Sequence, residues 1–185
     1  GHRYHNTHTS LLLTGTVDWE KGVFTKETLK EIDHSLDFYA PQTLINDKGE
    51  RIVIAWMQMW GRNMPTNTEN HYWAGSMVLP RKLSLTDGML IQTPVEGISN
   101  YFKDEKTFTN EVLTNETKEF EGVNGEVYAL EVDVKLEDQA NFEIELRSND
   151  KEFTTLTYDQ EDGKVTLNRL NSGYEIIGAE PTHLY

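Results

Sequence analysis

Three stretches decide the fold of this chain: Asp37-Phe-Tyr-Ala-Pro-Gln42, Arg51-Ile-Val-Ile-Ala-Trp-Met-Gln-Met-Trp60 and Trp73-Ala-Gly-Ser-Met-Val-Leu-Pro-Arg81. The first two are rich in β-branched and aromatic residues, and the turn sequence Asp47-Lys-Gly49 lies between them. This is the pattern of an antiparallel hairpin. The stretches therefore predict a β-sheet with a cluster of acids, amides and indoles in which a sugar could be held.

In wording and order, these stretches resemble the last part of the propeller domain in family 32 glycoside hydrolases. That family contains invertases, levanases, inulinases and sucrose-6-phosphate hydrolases. The resemblance rests on an acid-aromatic-Tyr-Ala-Pro-Gln strand start, a Trp-x-x-x-Trp strand end and a Trp-Ala-Gly…Leu-Pro-Arg strand, which occur together and in this order. The family's Asn-Asp-Pro-Asn-Gly segment with the nucleophile, its Arg-Asp-Pro segment and its Glu-Cys-Pro segment with the acid/base do not occur in this sequence.

Length and composition narrow the classes of protein. A chain of 185 residues can form one large or two small domains, since a domain of this length hides roughly two-thirds of its unfolded surface. A net charge of −14 repels phosphate backbones and argues against a nucleic-acid partner. No run reaches the roughly eighteen apolar residues of a membrane span. The absence of cysteine excludes disulfides and thiolate sites, and leaves both a cytosolic and an extracellular location open.

Turn signals at short intervals favour an all-β chain built from hairpins. Residues 43–45 and 51–60 fit one hairpin, and residues 76–85 and 89–95 fit another. The stretch around Thr7–Thr16 also has the composition of a strand. Helical periodicity is scarce, and its best example, residues 25–32, is interpreted as a helical connection between strands.

The character of the chain changes near Pro94, where a polar, acidic stretch begins. Beyond it, apolar residues alternate with charged ones over 130–136 and again over 142–146, which predicts strands with one buried face. Two more strands are predicted near 153–158 and 165–170. The resemblance implies a division into 1–95, the last part of a five-bladed propeller-type catalytic domain, and 96–185, part of the family's C-terminal β-sandwich.

Asp37 and Tyr39 are candidate sugar-binding residues. The Asp37 carboxylate could accept hydrogen bonds from sugar hydroxyls, or it could be a strand-start acid that accepts a backbone N–H. In a regular strand Tyr39 points to the same side, and its alternative is a core aromatic residue. The resemblance implies that the acid of this motif lines the sugar pocket. For Tyr39 both interpretations stay open.

The tryptophans and Arg81 complete the set of candidates. Trp56 and Trp60 share one face of a regular strand with Gln58 between them, where an indole could stack on a sugar or pack in a core. The resemblance assigns Trp60 to the active site and leaves packing to Trp56. Trp73 precedes small residues that allow close backbone approach, and it fits a pocket rim or packing equally well. Arg81 is interpreted as a structural ion-pairing residue.

Histidines at three-residue spacing could suggest a metal site. On a helix, His2, His5 and His8 would align like metal ligands, but the neighbouring sequence favours a strand, which sends alternate side chains to opposite faces. A metal site is therefore not predicted. His34 and His71 have no identifiable partners in the sequence.

The resemblance implies a retaining glycosidase for β-fructofuranosides, to which this chain contributes pocket wall and neither catalytic carboxylate. The implied partners are a fructosyl sugar and the remaining parts of a parent chain, and no cofactor is implied. Two other classes stay open: a non-catalytic carbohydrate-binding or lectin-like β module, and an acidic β domain with a structural role.

Overall fold

The regular secondary structure of the protein is almost entirely antiparallel β-strand. A computed structural model describes residues 8–61, 65–137, 140–174 and 182–184. The strands are β1 Leu11–Asp18, β2 Val23–Glu31, β3 Tyr39–Ile45, β4 Arg51–Met57, β5 Ser76–Met77, β6 Arg81–Thr86, β7 Met89–Pro94, β8 Phe142–Leu146, β9 Thr154–Asp159, β10 Lys164–Asn168 and β11 Thr182–Leu184. A short helix α1, Pro65–Thr68, and a 3-10 helix, Glu96–Tyr101, accompany them. The predicted all-β class is confirmed.

The five-stranded sheet has the order β3-β4-β6-β7, with β5 also paired to β4. Both predicted hairpins are present in it. The β6–β7 hairpin turns through Asp87 and Gly88, both at positive φ (52° and 77°), as a tight two-residue hairpin turn requires. The strand predicted over 76–85 is divided into β5 and β6, because β4 pairs with each of them in turn.

The core of the described chain lies on β4, which has a hydrogen-bonded neighbour on each side. Val53 is fully buried, and Ala55 is 1% exposed. Phe38 and Val78 pack with them from the two neighbouring segments. A short apolar strand becomes the centre of a sheet because its backbone is paired on both edges and its side chains are covered.

A two-stranded hairpin, β1–β2, precedes this sheet. The helical connection predicted over 25–32 is wrong: these residues belong to β2, whose backbone pairs with β1 from Leu11↔Glu31 to Asp18↔Val23. Tertiary pairing has outweighed a weak local helix preference. The strand predicted around 7–16 is present as β1, which begins later and extends to Asp18.

The last sheet has the order β11-β10-β9-β8 and contains the strands predicted near 142–146, 153–158 and 165–170. The strand predicted over 130–136 is wrong, since the structure assigns these residues to no strand. Val132 and Val134 are 48% and 44% exposed. They line an open cleft together with Phe142 and Tyr158 of the sheet. Among the described residues, no helix is long and apolar enough to cross a membrane.

Candidate functional site

A β-bulge at the start of β3 sets the position of Tyr39. Tyr39 pairs with Trp56 and Gln42 pairs with Ile54, so three steps along β3 correspond to two along β4. Ala40, inside the bulge, has a φ of 49°, and Pro41 has no N–H to leave unpaired. Bulges of this kind re-aim a side chain next to a sheet edge. Here the bulge brings Tyr39 against the end of β4.

Three rings form an aromatic cluster, Tyr39, Trp56 and Trp60. Their centroids lie 6.3 Å (Tyr39–Trp56), 6.4 Å (Tyr39–Trp60) and 5.3 Å (Trp56–Trp60) apart, each pair edge-to-face. This is a favourable arrangement of aromatic quadrupoles. Trp56 is half-buried, whereas Trp60 is 57% exposed. The cluster therefore has one packed indole and one that presents its surface to solvent.

The route by which Trp56 and Trp60 meet differs from the regular strand predicted over 51–60. β4 ends at Met57, and Trp60 lies beyond it. Met59 lies between the two indoles in sequence and is 1% exposed, so its buried side chain anchors the chain just after β4. The Gln58 side chain donates to the Met59 carbonyl at 3.3 Å. The two indoles share a face because the chain turns, and not because the strand continues.

Gly75 explains why small residues follow Trp73. A Cβ atom at Gly75 would lie 2.5 Å from Trp56 Nε1 and 3.0 Å from Gln58 Cβ, and its φ is +72°. The backbone of the third stretch thus passes directly over the Trp56 indole. The close approach predicted from Ala74-Gly75 is present.

Asp37 lies in the loop before β3, so strand periodicity does not relate it to Tyr39. The next residue, Phe38, is 3% exposed, and its carbonyl accepts a hydrogen bond from the Ser10 hydroxyl at 3.3 Å. This loop is therefore held at its buried end. The Asp37 side chain is 21% exposed, and its Oδ2 lies 3.9 Å from Nη2 of Arg169.

Arg81 is held in a network of its own, behind Phe38. Its Nη1 donates to Asp33 Oδ2 at 2.5 Å and to Gln92 Oε1 at 3.3 Å. Its guanidinium also lies 5.3 Å from the centroid of the Phe38 ring, in cation–π contact. Gln92 continues the network by donating to the Ile32 carbonyl at 2.5 Å. The geometry agrees with a structural role for Arg81.

Trp73 is 55% exposed, and its described ring contact is with His71 at 5.0 Å. The structure thus joins Tyr39 and Trp60 but places Trp73 in a separate pair. His34 Nδ1 lies 3.3 Å from Glu31 Oε2. These contacts give His34 and His71 the partners that the sequence did not reveal.

The histidine spacing at the N-terminus gives no metal site in the described part of the chain. His2 and His5 lie outside the described residues. His8 packs against Tyr39, with ring centroids 5.7 Å apart. Within the described residues, no group of three or more His, Cys, Asp and Glu could hold a metal ion.

Two neighbours of the candidate residues were not predicted from the sequence, His8 and Arg169. The sequence pattern indicates His8 only as a possible metal ligand. Arg169 follows β10, far from Asp37 in the sequence, and nothing in its local sequence distinguishes it from any surface arginine. A contact between distant segments of a chain leaves no local pattern.

The arrangement of these side chains could bind and orient a ligand. Within the described residues, we assign no pair of carboxylates to a catalytic role. Trp60 offers an exposed apolar ring with an N–H donor, Tyr39 a hydroxyl, and Asp37 a charged acceptor. Rings of this kind lie against the C–H face of a sugar while polar groups fix its hydroxyls. The site therefore suits a ligand that is apolar on its faces and polar at its rim.

Comparison with known proteins places the whole chain in one family. Residues 1–94 match the sequence model described as glycosyl hydrolases family 32 N-terminal domain, and residues 98–183 match the model described as glycosyl hydrolases family 32 C terminal. The sucrose-6-phosphate hydrolase of Staphylococcus xylosus is 29% identical over 173 residues, which are 94% of this chain and 34% of that protein. The sucrose-6-phosphate hydrolase of Zymomonas mobilis is 33% identical over 164 residues, 86% of this chain and 31% of that protein.

A solved structure supports the same placement. A mutant of the GH32 beta-fructofuranosidase of Bombyx mori, determined in complex with sucrose, matches with a TM-score of 0.67 and 26% identity, over 100% of this chain and 36% of that one. The chain thus spans about a third of the length of these relatives. Its antiparallel sheets agree with the predicted fold class, propeller-blade strands followed by part of a β-sandwich. The chain belongs to glycosyl hydrolase family 32.

Proposed function

We propose that the complete gene product containing this chain is a retaining glycosidase that hydrolyses β-fructofuranosides, and that this chain supplies part of the wall of its sugar pocket. Family membership supports the reaction class, and the names of the relatives, sucrose-6-phosphate hydrolase and beta-fructofuranosidase, support the substrate class. Retaining glycosidases use two carboxylates, a nucleophile and an acid/base. Neither is assigned to this chain, because the family segments that carry them do not occur in it.

The main support for the proposal is the aromatic cluster of Tyr39, Trp56 and Trp60. Asp37 lies just before Tyr39 in the sequence. Trp60 presents an exposed indole held by Trp56 and Tyr39, so its orientation is fixed before a sugar binds. A preorganised wall lowers the entropic cost of placing the fructosyl ring, and correct placement can supply several kcal/mol of barrier lowering. Asp37, Tyr39, Trp60 and Trp73 are the proposed substrate-binding residues.

The chain's two halves have separate tasks in this proposal. Residues 1–95 belong to the propeller-type catalytic domain, and residues 96–185 form part of the C-terminal β-sandwich. The two family models, matched over 1–94 and 98–183, are compatible with this division.

Kinetics of the complete gene product test the proposal. We expect hydrolysis of sucrose or sucrose 6-phosphate. Asp37→Asn should lower kcat/KM about tenfold to a hundredfold, the value of a charged hydrogen bond to the substrate. Trp60→Ala should lower it by a similar factor, because it removes the exposed ring and the N–H donor that would contact the sugar. Trp56→Ala is the matched control for Trp60→Ala, since it removes the packed indole and should lower the free energy of unfolding by about 3 kcal/mol. If Trp60→Ala keeps full activity but melts much lower, Trp60 is a packing residue and its role here is wrong.

The 185-residue chain by itself provides the complementary test. Purified free of host invertase, it should release no fructose, because covalent glycosyl transfer needs both carboxylates. Fructose release that co-purifies with the chain, and that disappears in Asp37→Asn, would show a catalytic pair within these residues.

A further inference from the structure

The turn after β10, residues 169–174, reaches from the last sheet to the loops that carry the candidate pocket residues. Arg169 opens this turn, and its guanidinium lies 3.9 Å from the Asp37 carboxylate. Tyr174 ends it, and its hydroxyl hydrogen-bonds the carboxylate of Glu69, which raises the pKa of Tyr174. Glu69 follows α1 in the loop that leads to Trp73. Two separate contacts therefore join this turn to both pocket loops.

The turn is held firmly enough to place a side chain. The Asn168 side chain accepts the N–H of Leu170 at 3.0 Å, and the Ser172 N–H donates to the Arg169 carbonyl at 3.1 Å. The Asn171 carbonyl accepts the N–H of Phe153 at 2.9 Å, which ties the turn to the start of β9. Fixed backbone on both sides of Arg169 limits where its guanidinium can go.

The backbone next to Asp37 is also anchored. Phe38, next to Asp37, is buried under the Arg81 guanidinium. The side chains of Arg169 and Asp37 are 36% and 21% exposed, so the pair is partly shielded from water. At a separation of 3.9 Å the two side chains form an ion pair, in which the charge of Arg169 attracts and orients the Asp37 carboxylate.

We propose that Arg169 is a positioning residue for Asp37, so that the C-terminal sheet contributes to the sugar pocket through its 169–174 turn. The inference rests on the proposed role of Asp37 in substrate binding. Arg169 acts through Asp37 and not on the reacting atoms. It directs the carboxylate toward the hydroxyls of the fructosyl ring.

A double-mutant cycle in the complete gene product tests this. Arg169→Gln should lower kcat/KM about fivefold, the size expected for a partly exposed ion pair. The double variant Asp37→Asn with Arg169→Gln should match Asp37→Asn alone within about twofold, since an arginine that acts through Asp37 has nothing left to position. Arg169→Lys keeps the charge and should recover most of the loss. Arg147→Gln removes the same charge from an exposed position just after β8 and should leave kcat/KM unchanged.

The outcomes separate the two hypotheses. If Asp37→Asn lowers kcat/KM and Arg169→Gln does not, the positioning role is wrong while the proposed function stands. If Asp37→Asn itself has no effect, the proposed role of Asp37 fails, and the inference fails with it. Losses that multiply in the double variant overturn the inference as well. The loss should be equal on sucrose and on sucrose 6-phosphate, because both carry the same fructosyl unit; a loss confined to the phosphorylated sugar would make Arg169 a phosphate ligand instead.

Discussion

Strand β4 and the segment 130–136 are both predicted to be strands from the pattern of their apolar residues, but only β4 is a strand in the structure. In β4 the backbone is paired on both sides, and Val53 and Ala55 are 0% and 1% exposed. In 130–136, Val132 and Val134 are nearly half exposed and belong to no strand. Alternation specifies which side chains face the same way, but a strand also needs a neighbour whose N–H and C=O groups complete the ladder. Pairing partners, and not the sequence pattern alone, therefore decide which segments become strands.

The largest expected difference between these two regions is in amide hydrogen exchange. Amides of β4 should exchange only through extensive opening of the sheet, whereas those of 130–136 should exchange almost freely. We expect protection factors to differ by at least about a thousandfold. Exchange followed by mass spectrometry on the 185-residue chain, and again on the complete gene product, measures this. Protection of 130–136 in the complete gene product alone would show that the missing neighbour is supplied from elsewhere in that protein, which would sharpen the comparison.

Two glycines with the same backbone angle provide the next test. Gly75, over Trp56, and Gly122, in the exposed segment, both have a φ of +72°. A methyl group at Gly75 would meet the Trp56 indole at 2.5 Å, whereas at Gly122 it meets the flexible end of Lys106. Gly75→Ala should therefore cost about 2–4 kcal/mol through backbone strain and overpacking. Gly122→Ala should cost about 1 kcal/mol from the backbone alone. Equal losses in urea denaturation would show that the packing over Trp56 contributes little.

The fold was predictable wherever turns and strands lie close together in sequence. The β3–β4 and β6–β7 hairpins follow from Asp47-Lys-Gly49 and Asp87-Gly88, whose turn chemistry sets the register locally. The helical connection predicted over 25–32 is wrong because a strand and a short helix can share the polar composition of this segment. Their state is decided by β1, whose pairing the local sequence does not reveal.

Two valines form the third test. Val53→Ala should lower the free energy of unfolding by about 2 kcal/mol, since it removes buried methyl groups and leaves a cavity beside Phe38. Val127 is 88% exposed, and Val127→Ala should change stability by less than about 0.5 kcal/mol. Chemical denaturation of the two variants measures both values. A loss at Val127 comparable to that at Val53 would mean that the polar segment is packed in solution.

The members of the candidate site are a prediction from the family resemblance, and their geometry could not be predicted from the sequence. Family wording pointed to Asp37, Tyr39, Trp60 and Trp73, and the structure packs Tyr39 against Trp60. The bulge at Ala40 and the chain turn after Met57 were not predicted, because each depends on how β3 and β4 meet. Arg169 could not be predicted either, since its contact with Asp37 joins a loop and a turn that are far apart in the sequence.

The smallest expected effect concerns the turn end of the β3–β4 hairpin, where Glu50 accepts from Asn46 and from Lys82, each at 2.9 Å. The hydrogen bond from Asn46, and next that from Lys82, lower the pKa of Glu50 below its ordinary value. A folded pKa below the unfolded one means that the ionised carboxylate stabilises the fold. This contribution is present above the unfolded pKa and is lost as the pH falls through the folded one. Lys82→Gln should raise the pKa of Glu50 only part of the way, because the Asn46 contact remains. Carboxyl NMR titration of both proteins measures this, and a Glu50 that titrates at its ordinary value in the unmodified chain would show that this end of the hairpin is open in solution.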